Sequence, residues 1–363
     1  MSDERKLEEI RERIDALDQQ ILSAVSERAK CAQEVAEIKL GATPQNDVLF
    51  YRPEREAQVL RKVMDLNKGP LDDQTVAVLF REVMSACLAL EQPLKVAYLG
   101  PEGTFTHSAV LKHFGHAAQA IPLGGIDDVF RSVENGSSRF GVVPVENSTE
   151  GVINHTLDLF LNSPLRISGE VVVRIHHNLV GNVASLDKIN TVLSHQQSLA
   201  QCRNWLTRNL PNVELEAVSS NAEAARLAAE KSDVAAIAPQ AAAEIYNLDT
   251  LASKIEDKTD NTTRFLIIGN QDVPASGDDK TSILFAAPNK PGSLYNLLKP
   301  LAEYNIDMNR LESRPSKGGL WEYVFFVDIN GHHLDDDIKP ALDALSNNAP
   351  LYRVLGSYPR AAY

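Results

Sequence analysis

The stretch Asn261-Thr262-Thr263-Arg264-Phe265 opens an apolar run that continues to Ile268 and ends at Gly269. A short apolar run closed by glycine is typical of a buried strand. Asparagine and threonine at its start can close a turn. They can instead place donors at the edge of a cleft, where open α/β sheets bind ligands. The local sequence leaves both interpretations open, and the rest of the chain has to separate them.

The length, net charge and cysteine count of the sequence limit the class of protein that it can encode. A chain of 363 residues exceeds one compact core and predicts two or three domains. Its net charge of −13 argues against nucleic acid or an anionic membrane as a partner. The 3 cysteines are far apart and predict no disulfide framework. A charged N-terminus without an apolar segment, and no run long enough to span a membrane, predict a cytoplasmic protein.

Residues 3–40 contain no glycine or proline and predict one long helix, with apolar residues recurring in steps of three and four. Arg28 falls on this predicted buried stripe. Its guanidinium could reach solvent or pair with a glutamate, or it could bind an anion inside a helical bundle. Lys39 shares the face of Arg28. Arg11 lies roughly 25 Å away from Arg28 along the same helix, so it can reach the same ligand only from a second copy of the chain.

Two shorter helices are predicted over residues 52–67 and about 73–90, each bounded by proline or glycine. Three helices with one very long member cannot bury their apolar stripes alone. An intertwined dimer is the natural solution.

This N-terminal domain, residues 1–92, resembles the all-α chorismate mutase domain. The resemblance rests on the segments 10–18 and 53–56, on Glu27-Arg28 and on Lys39. It implies that chorismate rearranges to prephenate without a cofactor, held as a dianion by cations and by a carboxylate that binds its hydroxyl. The implied catalytic residues are the partner subunit's Arg11 together with Arg28, Lys39, Arg55, Glu56 and Glu91, with Cys87 as a substrate contact.

The resemblance places Glu91 next to the ether oxygen whose bond breaks. Negative charge builds on that oxygen, and a hydrogen-bond donor beside it lowers the barrier. A glutamate donates only when it is protonated. Mutase activity is therefore expected to fall as the pH rises through the pKa of Glu91.

Between residues 95 and 270, apolar runs alternate with helical segments, which predicts a mainly parallel sheet with ligands at the strand ends. The predicted strands are 95–100, 119–122, 140–143, 170–174, 178–181, 191–194, 234–237 and 264–268. Three loops rich in uncharged donors precede helices, at 100–106, 143–151 and 194–198. Each alone could be a cap or a turn. Together with the Thr-Thr-Arg stretch they favour a cleft.

These loops read Gly-Pro-Glu-Gly-Thr-Phe-Thr, Val-Pro-Val-Glu-Asn-Ser-Thr-Glu-Gly and Ser-His-Gln-Gln-Ser-Leu-Ala-Gln-Cys. With Thr-Arg-Phe they resemble prephenate dehydratase, in order and in spacing. The resemblance implies a two-lobed α/β domain like a periplasmic binding protein. Lobe one would comprise 95–172 and 252–270, and lobe two 173–251.

The same resemblance implies that prephenate loses CO₂ and hydroxide to give phenylpyruvate, with Thr263 as the proton donor. Arg264 and helix N-termini could hold the substrate carboxylates. The residues expected to bind the substrate are Thr104, Glu146, Asn147, Ser148, Ser194, His195, Gln201, Arg264 and Phe265. The histidines are scattered without ligand spacing, so surface or core positions are expected for them. Neither a metal ion nor a cofactor is predicted for either reaction.

Residues 280–363 follow a polar linker and predict the order βαββαβ, with a glycine turn at 317–319 between the second and third strands. This α+β, ferredoxin-like unit contains no nucleophile–base pair, and a dimerisation module is one interpretation. It also resembles the ACT domain attached to these dehydratases. The resemblance implies an L-phenylalanine site at a dimer interface, and feedback inhibition. The residues that carry it are Gly292, Ser293, Leu294 and Tyr295, and Glu312, Ser313, Arg314 and Pro315.

The sequence as a whole therefore predicts a multidomain, bifunctional chorismate mutase–prephenate dehydratase, a homodimer or higher oligomer regulated by L-phenylalanine. Two alternatives remain at this stage. The helical domain could be a non-catalytic dimerisation arm on a dehydratase, or the whole chain could be a ligand sensor without catalysis.

Overall fold

The computed structural model describes residues 3–42, 49–315 and 323–361, so the predicted turn at 317–319 lies outside the described residues. The described helices are α1 (Asp3–Ala42), α2 (Pro53–Leu66), α3 (Asp73–Glu91), α4 (Phe105–Phe114), α5 (Ile126–Glu134), α6 (Asn154–Phe160), α7 (Gln196–Gln201), α8 (Arg203–Asn209), α9 (Asn221–Ala228), α10 (Gln240–Ile245), α11 (Ser293–Glu303) and α12 (Lys339–Asn348). The described strands are β1 (Lys95–Leu99), β2 (Gln119–Leu123), β3 (Phe140–Asn147), β4 (Gly151–Val152), β5 (Arg166–Arg174), β6 (Asn178–Val180), β7 (Thr191–His195), β8 (Glu214–Val218), β9 (Val234–Ala238), β10 (Thr250–Ala252), β11 (Thr262–Gly269), β12 (Asp279–Ala287), β13 (Met308–Pro315), β14 (Tyr323–Asn330) and β15 (Tyr352–Pro359).

The chain divides into two compact units. The helical unit comprises residues 1–52, 59–94 and 114–119. The α/β unit comprises residues 53–58, 95–113 and 120–363. The domain limits derived from the sequence stay predictions.

Helix α1 has the predicted length, but its apolar stripe is not buried within one chain. Ile10 is 54% exposed, Ile21 61% and Ile38 71%, and Arg28 is exposed as well. This exposure agrees with the expectation that the three helices of one chain cannot bury their apolar stripes alone. The residue of α1 that is buried is Ala36, on a different face, and α1 packs against α3. The exposed stripe is therefore a surface that one chain cannot cover by itself.

The α/β unit contains two mixed sheets that correspond to the two predicted lobes. The first has the strand order β2-β1-β3-β11-β5, with β4 beside β3, and the second the order β10-β6-β9-β7-β8. The central strand β11 is antiparallel to both β3 and β5, so the prediction of a mainly parallel sheet is wrong here. The reason is connectivity, because β11 follows β10 of the second sheet directly rather than a crossover helix.

Strand β8 was not predicted from the sequence. It reads Glu-Leu-Glu-Ala-Val at the edge of the second sheet and is mostly exposed. An exposed edge strand has no apolar run to reveal it, because only one neighbour supports it and its side chains face solvent.

The C-terminal part has the predicted βαββαβ order, with the sheet order β13-β14-β12-β15. One face of this third sheet packs against α11 and α12 through residues such as Leu297 and Leu342. The other face joins the core of the first lobe, where Leu284 and Leu355 meet Phe160.

A close backbone approach joins β15 to β5. A side chain on Gly356 would place its Cβ in a clash with the carbonyl oxygen of Ile167. Only glycine allows this contact. The third sheet is therefore packed directly on the strand next to β11.

Candidate active sites

A cavity of 650 Å³ in the α/β unit is lined by residues from both lobes. The first lobe contributes the loop after β1, the end of β3 and the start of β11, and the second contributes the segments after β7 and β8. The predicted substrate-binding residues that line it are Thr104, Asn147, His195 and Gln201, and the predicted proton donor Thr263 lines it as well. Strand ends that converge on a cleft between lobes are the usual ligand position in such sheets.

The start of β11 is a strand that enters this cavity, which decides between the two interpretations of Asn261 to Phe265. Thr263 pairs in register with Asn147 of β3, and both residues line the cavity. Asn147 Nδ2 donates to Thr263 Oγ1 at 2.8 Å and to Asn261 Oδ1 at 3.0 Å. The stretch is thus one wall of the cleft rather than a turn.

The orientation of the Asn147 side chain is set by the backbone. Its Oδ1 accepts from the backbone N–H groups of Thr149 and Glu150 at 3.0 and 3.1 Å. A backbone N–H can only donate, so Nδ2 has to point at Thr263. Because Thr263 Oγ1 accepts this bond, its own proton is free to be donated into the cavity.

The network continues from Asn261 into the second lobe. Asn261 Nδ2 donates to Gln201 Oε1 at 3.1 Å, and His177 Nε2 lies 2.8 Å from the same oxygen. An amide oxygen can only accept, so His177 carries its proton on Nε2. Amide side chains therefore connect the hydroxyl of Thr263 to a histidine across the cleft.

His177 was not selected from the sequence, where it was expected to be an ordinary surface or core residue. It is 1% exposed and lines the cavity. Burial lowers the pKa of His177, against smaller opposite effects of Gln201 and Glu256, so the ring is neutral at pH 7. Among the described residues its Nδ1 has no hydrogen-bond partner. No sequence signal marks it, because its role depends on a contact with Gln201, 24 positions away.

Five of the residues predicted to bind prephenate do not line the cavity, which corrects those predictions. Phe265 is 2% exposed and belongs to the core. Ser194 is buried and donates to the carbonyl of Ile237 at 2.8 Å. Arg264 and Glu146 are directed to the opposite face of the sheet, because successive residues of a strand alternate between faces.

Ser148 is a fifth such residue. Its Oγ accepts from the backbone N–H of Thr262 at 2.9 Å. This hydroxyl binds the first residue of β11, and Ser148 is not among the residues that line the cavity.

Thr104 does line the cavity, but its hydroxyl also donates to the carbonyl of Pro101 at 3.0 Å.

The helical unit brings Lys39 close to Glu91. Lys39 Nζ lies 3.9 Å from Glu91 Oε2, donates to the carbonyl of Leu49 at 3.1 Å and lies 5.3 Å from the centre of the Phe50 ring. Within the described residues, Glu91 Oε2 is buried without a hydrogen-bond partner. When the carboxyl of Glu91 is protonated, this oxygen can donate to an acceptor oxygen of an anionic ligand that is held by Lys39.

Burial raises the pKa of Glu91, while Lys39 and Arg28 act in the opposite direction. Burial prevails because a charged carboxylate loses its hydration there. The two cations that influence Glu91 are those that the sequence predicts to hold the dianion.

The remaining predicted mutase residues do not all meet in one chain. Arg11 is exposed, lies 3.6 Å from Glu8, and is about 42 Å along α1 from Lys39. Cys87 is buried, Arg55 is exposed and Glu56 is half-buried. The structure therefore agrees with the expectation that Arg11 cannot reach the Lys39 end of its own helix.

The predicted effector residues lie on α11 and β13. Gly292 caps α11 in the left-handed conformation with φ of 78°. Tyr295 is 68% exposed and Ser313 is exposed on the edge strand β13. Arg314 is already paired, since it donates to Asp158 Oδ1 at 2.8 Å. The guanidinium of Arg314 is therefore engaged by α6, and its predicted part in the effector site stays a prediction.

Within the part of the chain that the structure describes, no group of three or more His, Cys, Asp or Glu side chains is arranged to hold a metal ion. The described helices include none that is both long enough and apolar enough to cross a membrane.

These features are those of an enzyme with an attached regulatory domain. They are a helical unit with a Lys–Glu site, a two-lobed cleft lined by hydroxyls and amides, and a βαββαβ sheet packed on the first lobe of that cleft. Family models agree with this division. The chain matches chorismate mutase type II over residues 10–92, prephenate dehydratase over 96–273 and the ACT domain over 281–347.

A bifunctional chorismate mutase/prephenate dehydratase of Stutzerimonas stutzeri is 56% identical, over 99% of this chain and 100% of that protein. The chain belongs to the family of bifunctional chorismate mutase/prephenate dehydratases. It combines both enzymes with an ACT domain, so the mutase-free and sensor alternatives are set aside.

Solved structures resemble the part of the chain after the helical unit. A prephenate dehydratase of Arthrobacter aurescens in complex with L-Phe is 34% identical with a TM-score of 0.68, covering 74% of this chain and 90% of that one. GqqA, described as a novel type of quorum quenching acylase, has the same TM-score at 28% identity, covering 74% of this chain and 98% of that one. Since one fold accompanies different activities, the assignment rests on the family models and on the full-length relative, and not on the fold.

Proposed function

We propose that Thr263 protonates the leaving hydroxyl of prephenate and that Asn147 holds Thr263 in place for this step. The observation that supports it is the 2.8 Å hydrogen bond from Asn147 Nδ2 to Thr263 Oγ1, whose direction the backbone fixes. The C–O bond breaks with its electron pair, and the proton of Thr263 converts the departing hydroxide to water. The electrons of the broken C–CO₂ bond complete the aromatic ring, and solvent returns the proton to Thr263.

A threonine hydroxyl is a weak acid, so the oxygen left by proton transfer needs stabilisation. Asn147 Nδ2 is already directed at this oxygen and stabilises the negative charge that develops there. His177 Nδ1 would accept the hydrogen of the substrate hydroxyl and so turn a lone pair of that hydroxyl toward Thr263. The direct test is formation of phenylpyruvate from chorismate, with and without phenylalanine.

The carboxylates of prephenate would be held by backbone groups. No lysine or arginine of the described residues lines the cavity. The N-terminal ends of α4 and α9 do, through Thr104 to Thr106 and Ser219 to Asn221. Helix N-termini attract anions through their unpaired N–H groups and their dipole.

The mutase site is proposed to form between two chains, with Arg28, Lys39 and Glu91 from one and the partner subunit's Arg11. The exposed apolar stripe of α1 supports this arrangement, because leaving Leu7, Ile14 and Leu17 about half exposed is unfavourable in water. A dimer through α1 would cover the stripe and bring each Arg11 toward the other chain.

We predict that the variants Arg11→Ala and Arg28→Ala are each impaired in mutase activity. When the two variants are unfolded together and refolded as an equal mixture, about a quarter of wild-type mutase activity should return. Half of the dimers would be mixed, and one of their two sites would contain neither substitution. Dehydratase activity, measured on the same samples, is the control for refolding. If the mixture is no more active than the separate variants, Arg11 acts within its own chain or not at all.

L-phenylalanine is proposed as the effector at Gly292–Tyr295 and Glu312–Pro315, supported by the L-Phe complex of the Arthrobacter relative.

We predict that Ser313→Ala raises the phenylalanine concentration for half-inhibition of the dehydratase by about tenfold, since the loss of one buried hydrogen bond to the ligand has this effect. Asn309→Ala, another exposed position of the same strand, should leave inhibition unchanged. Equal inhibition of both variants and the wild type would place the effector elsewhere.

A further inference from the structure

The two cleft strands carry a pair of opposite charges directly behind the catalytic pair. In the register of β11 and β3, Thr263 faces Asn147, and the next pair is Arg264 and Glu146. Thr263 and Asn147 line the cavity, whereas Arg264 and Glu146 extend from the other face of the sheet. One peptide bond on each strand therefore joins the charged pair to the pair that lines the cavity.

The ACT sheet presents the complementary pair. Arg310 of β13 and Asp328 of β14 are also partners in register. Arg264 Nη1 lies 2.6 Å from Asp328 Oδ2, and Arg310 Nε lies 3.1 Å from Glu146 Oε2. These four residues, Glu146, Arg264, Arg310 and Asp328, form a charge quartet in which each positive group meets a negative group of the other sheet.

Three members of the quartet are largely removed from water. The side chains of Arg264, Arg310 and Asp328 are 13%, 12% and 8% exposed, whereas that of Glu146 is 40% exposed. Glu170 accepts from Arg264 Nε at 2.8 Å and pairs with Lys280 at the same distance. Breaking one partner of such a buried pair leaves an uncompensated charge, so the arrangement resists partial displacement.

Strand β13 also carries the proposed effector motif. Arg310 precedes Glu312-Ser313-Arg314-Pro315 on the same strand, and Ser313 faces away from the side that holds Arg310 and Arg314. One face of β13 thus forms ion pairs with the dehydratase lobe, while the other face is available to an effector.

We propose that the charge quartet positions Thr263 and Asn147 and transmits effector binding at β13 to the dehydratase cleft. A displacement of β13 pulls on Glu146 through Arg310, and a displacement of β14 pulls on Arg264 through Asp328. Catalysis is sensitive to displacements of about 1 Å, which can cost 10²-fold in rate. The regulatory half of this inference rests on the proposed effector site, whereas the positioning half does not.

A double-mutant cycle tests the proposal in the full-length protein. Glu146→Gln and Arg310→Gln are made singly and together, and kcat, KM and half-inhibition by phenylalanine are measured for the dehydratase. Each single variant should lose about tenfold in sensitivity to phenylalanine and show a lower kcat with KM little changed. The double variant should be less impaired than the sum of the two, because no unpaired charge remains. Mutase activity should not change.

Two controls separate transmission from simple attachment of the ACT sheet. Asp158→Asn breaks the ion pair that joins Arg314 of β13 to α6, an ion pair that includes no residue of β3 or β11, and should leave kcat unchanged. Arg310→Lys keeps the positive charge and should retain more inhibition by phenylalanine than Arg310→Gln. It also provides a test at this position if Arg310→Gln folds poorly. The proposal is overturned if the single effects add, if Asp158→Asn lowers kcat equally, or if inhibition is unchanged in both single variants.

Calorimetric titration with L-phenylalanine distinguishes failure of transmission through the charge quartet from failure of the proposed effector site. Binding that persists in Glu146→Gln while inhibition weakens supports transmission by the quartet. Wild-type protein that binds no phenylalanine would refute the effector site and the regulatory half together. The kcat effects and their non-additivity would then decide the positioning half alone.

Discussion

Thr263→Ala is expected to lower the dehydratase kcat by about 10²- to 10⁴-fold, the usual contribution of a positioned proton donor. The variant retains the cavity and its helix N-termini but has no proton to give to the leaving hydroxyl. KM should change little, because the hydroxyl acts mainly in the transition state. Phenylpyruvate formation from prephenate, followed by its absorbance in alkali, measures the loss.

Thr263→Ser and the mutase reaction are the matched controls for this variant. Serine keeps a hydroxyl within reach of Asn147 Nδ2 and should retain far more activity than alanine. Mutase activity should be unchanged, since its residues lie in the helical unit and on α2. Full dehydratase turnover in Thr263→Ala would refute the role of this residue, and an equal loss in both variants would point to packing instead of proton donation.

Glu91→Gln is expected to remove the pH dependence of the mutase reaction at neutral and alkaline pH. In the wild type the pKa of Glu91 is raised by burial. The carboxyl is protonated below this pKa and can donate to the ether oxygen. Above it, the donor fraction falls about tenfold for each pH unit, and the charge left behind opposes the negative charge of the transition state.

The measurement is kcat/KM for chorismate from pH 4.5 to 8.5, which reports the pKa of the free enzyme. Glutamine donates at every pH, so the variant should exceed the wild type at the alkaline end and not at the acid end. Dehydratase activity, followed over the same range, provides the control for general pH effects. A wild-type profile that is flat from acid to pH 8 would contradict the role of Glu91.

Much of the architecture could be read from the sequence because its determinants are local. The long helix α1 follows from an apolar repeat without glycine or proline, and the βαββαβ order follows from short apolar runs separated by turn residues. The cleft position of Thr263 and Asn147 was also predicted, through motifs whose order and spacing resemble a known family.

The direction of β11 and the burial of its neighbours could not be read in this way. A strand sequence shows that Thr263 and Arg264 face opposite sides, but not which side is the cleft. Both residues are polar, and both are suited to binding an anion. The choice is made by Asp328 and Glu170, which hold Arg264 behind the sheet. His177 was missed for the same reason, because only the fold brings it to Gln201.

The sequence by itself predicted the helices and most strands, because local periodicity depends on residues that are close along the chain. The two catalytic activities, and the place of Asn261 to Phe265 in the dehydratase, followed from motifs whose order and spacing resemble known families. Only the tertiary structure decided that Thr263 serves the cleft while Arg264 joins the charge quartet. That decision depends on charges contributed by a sheet more than 60 residues further along the chain, and burial makes their pairing obligatory.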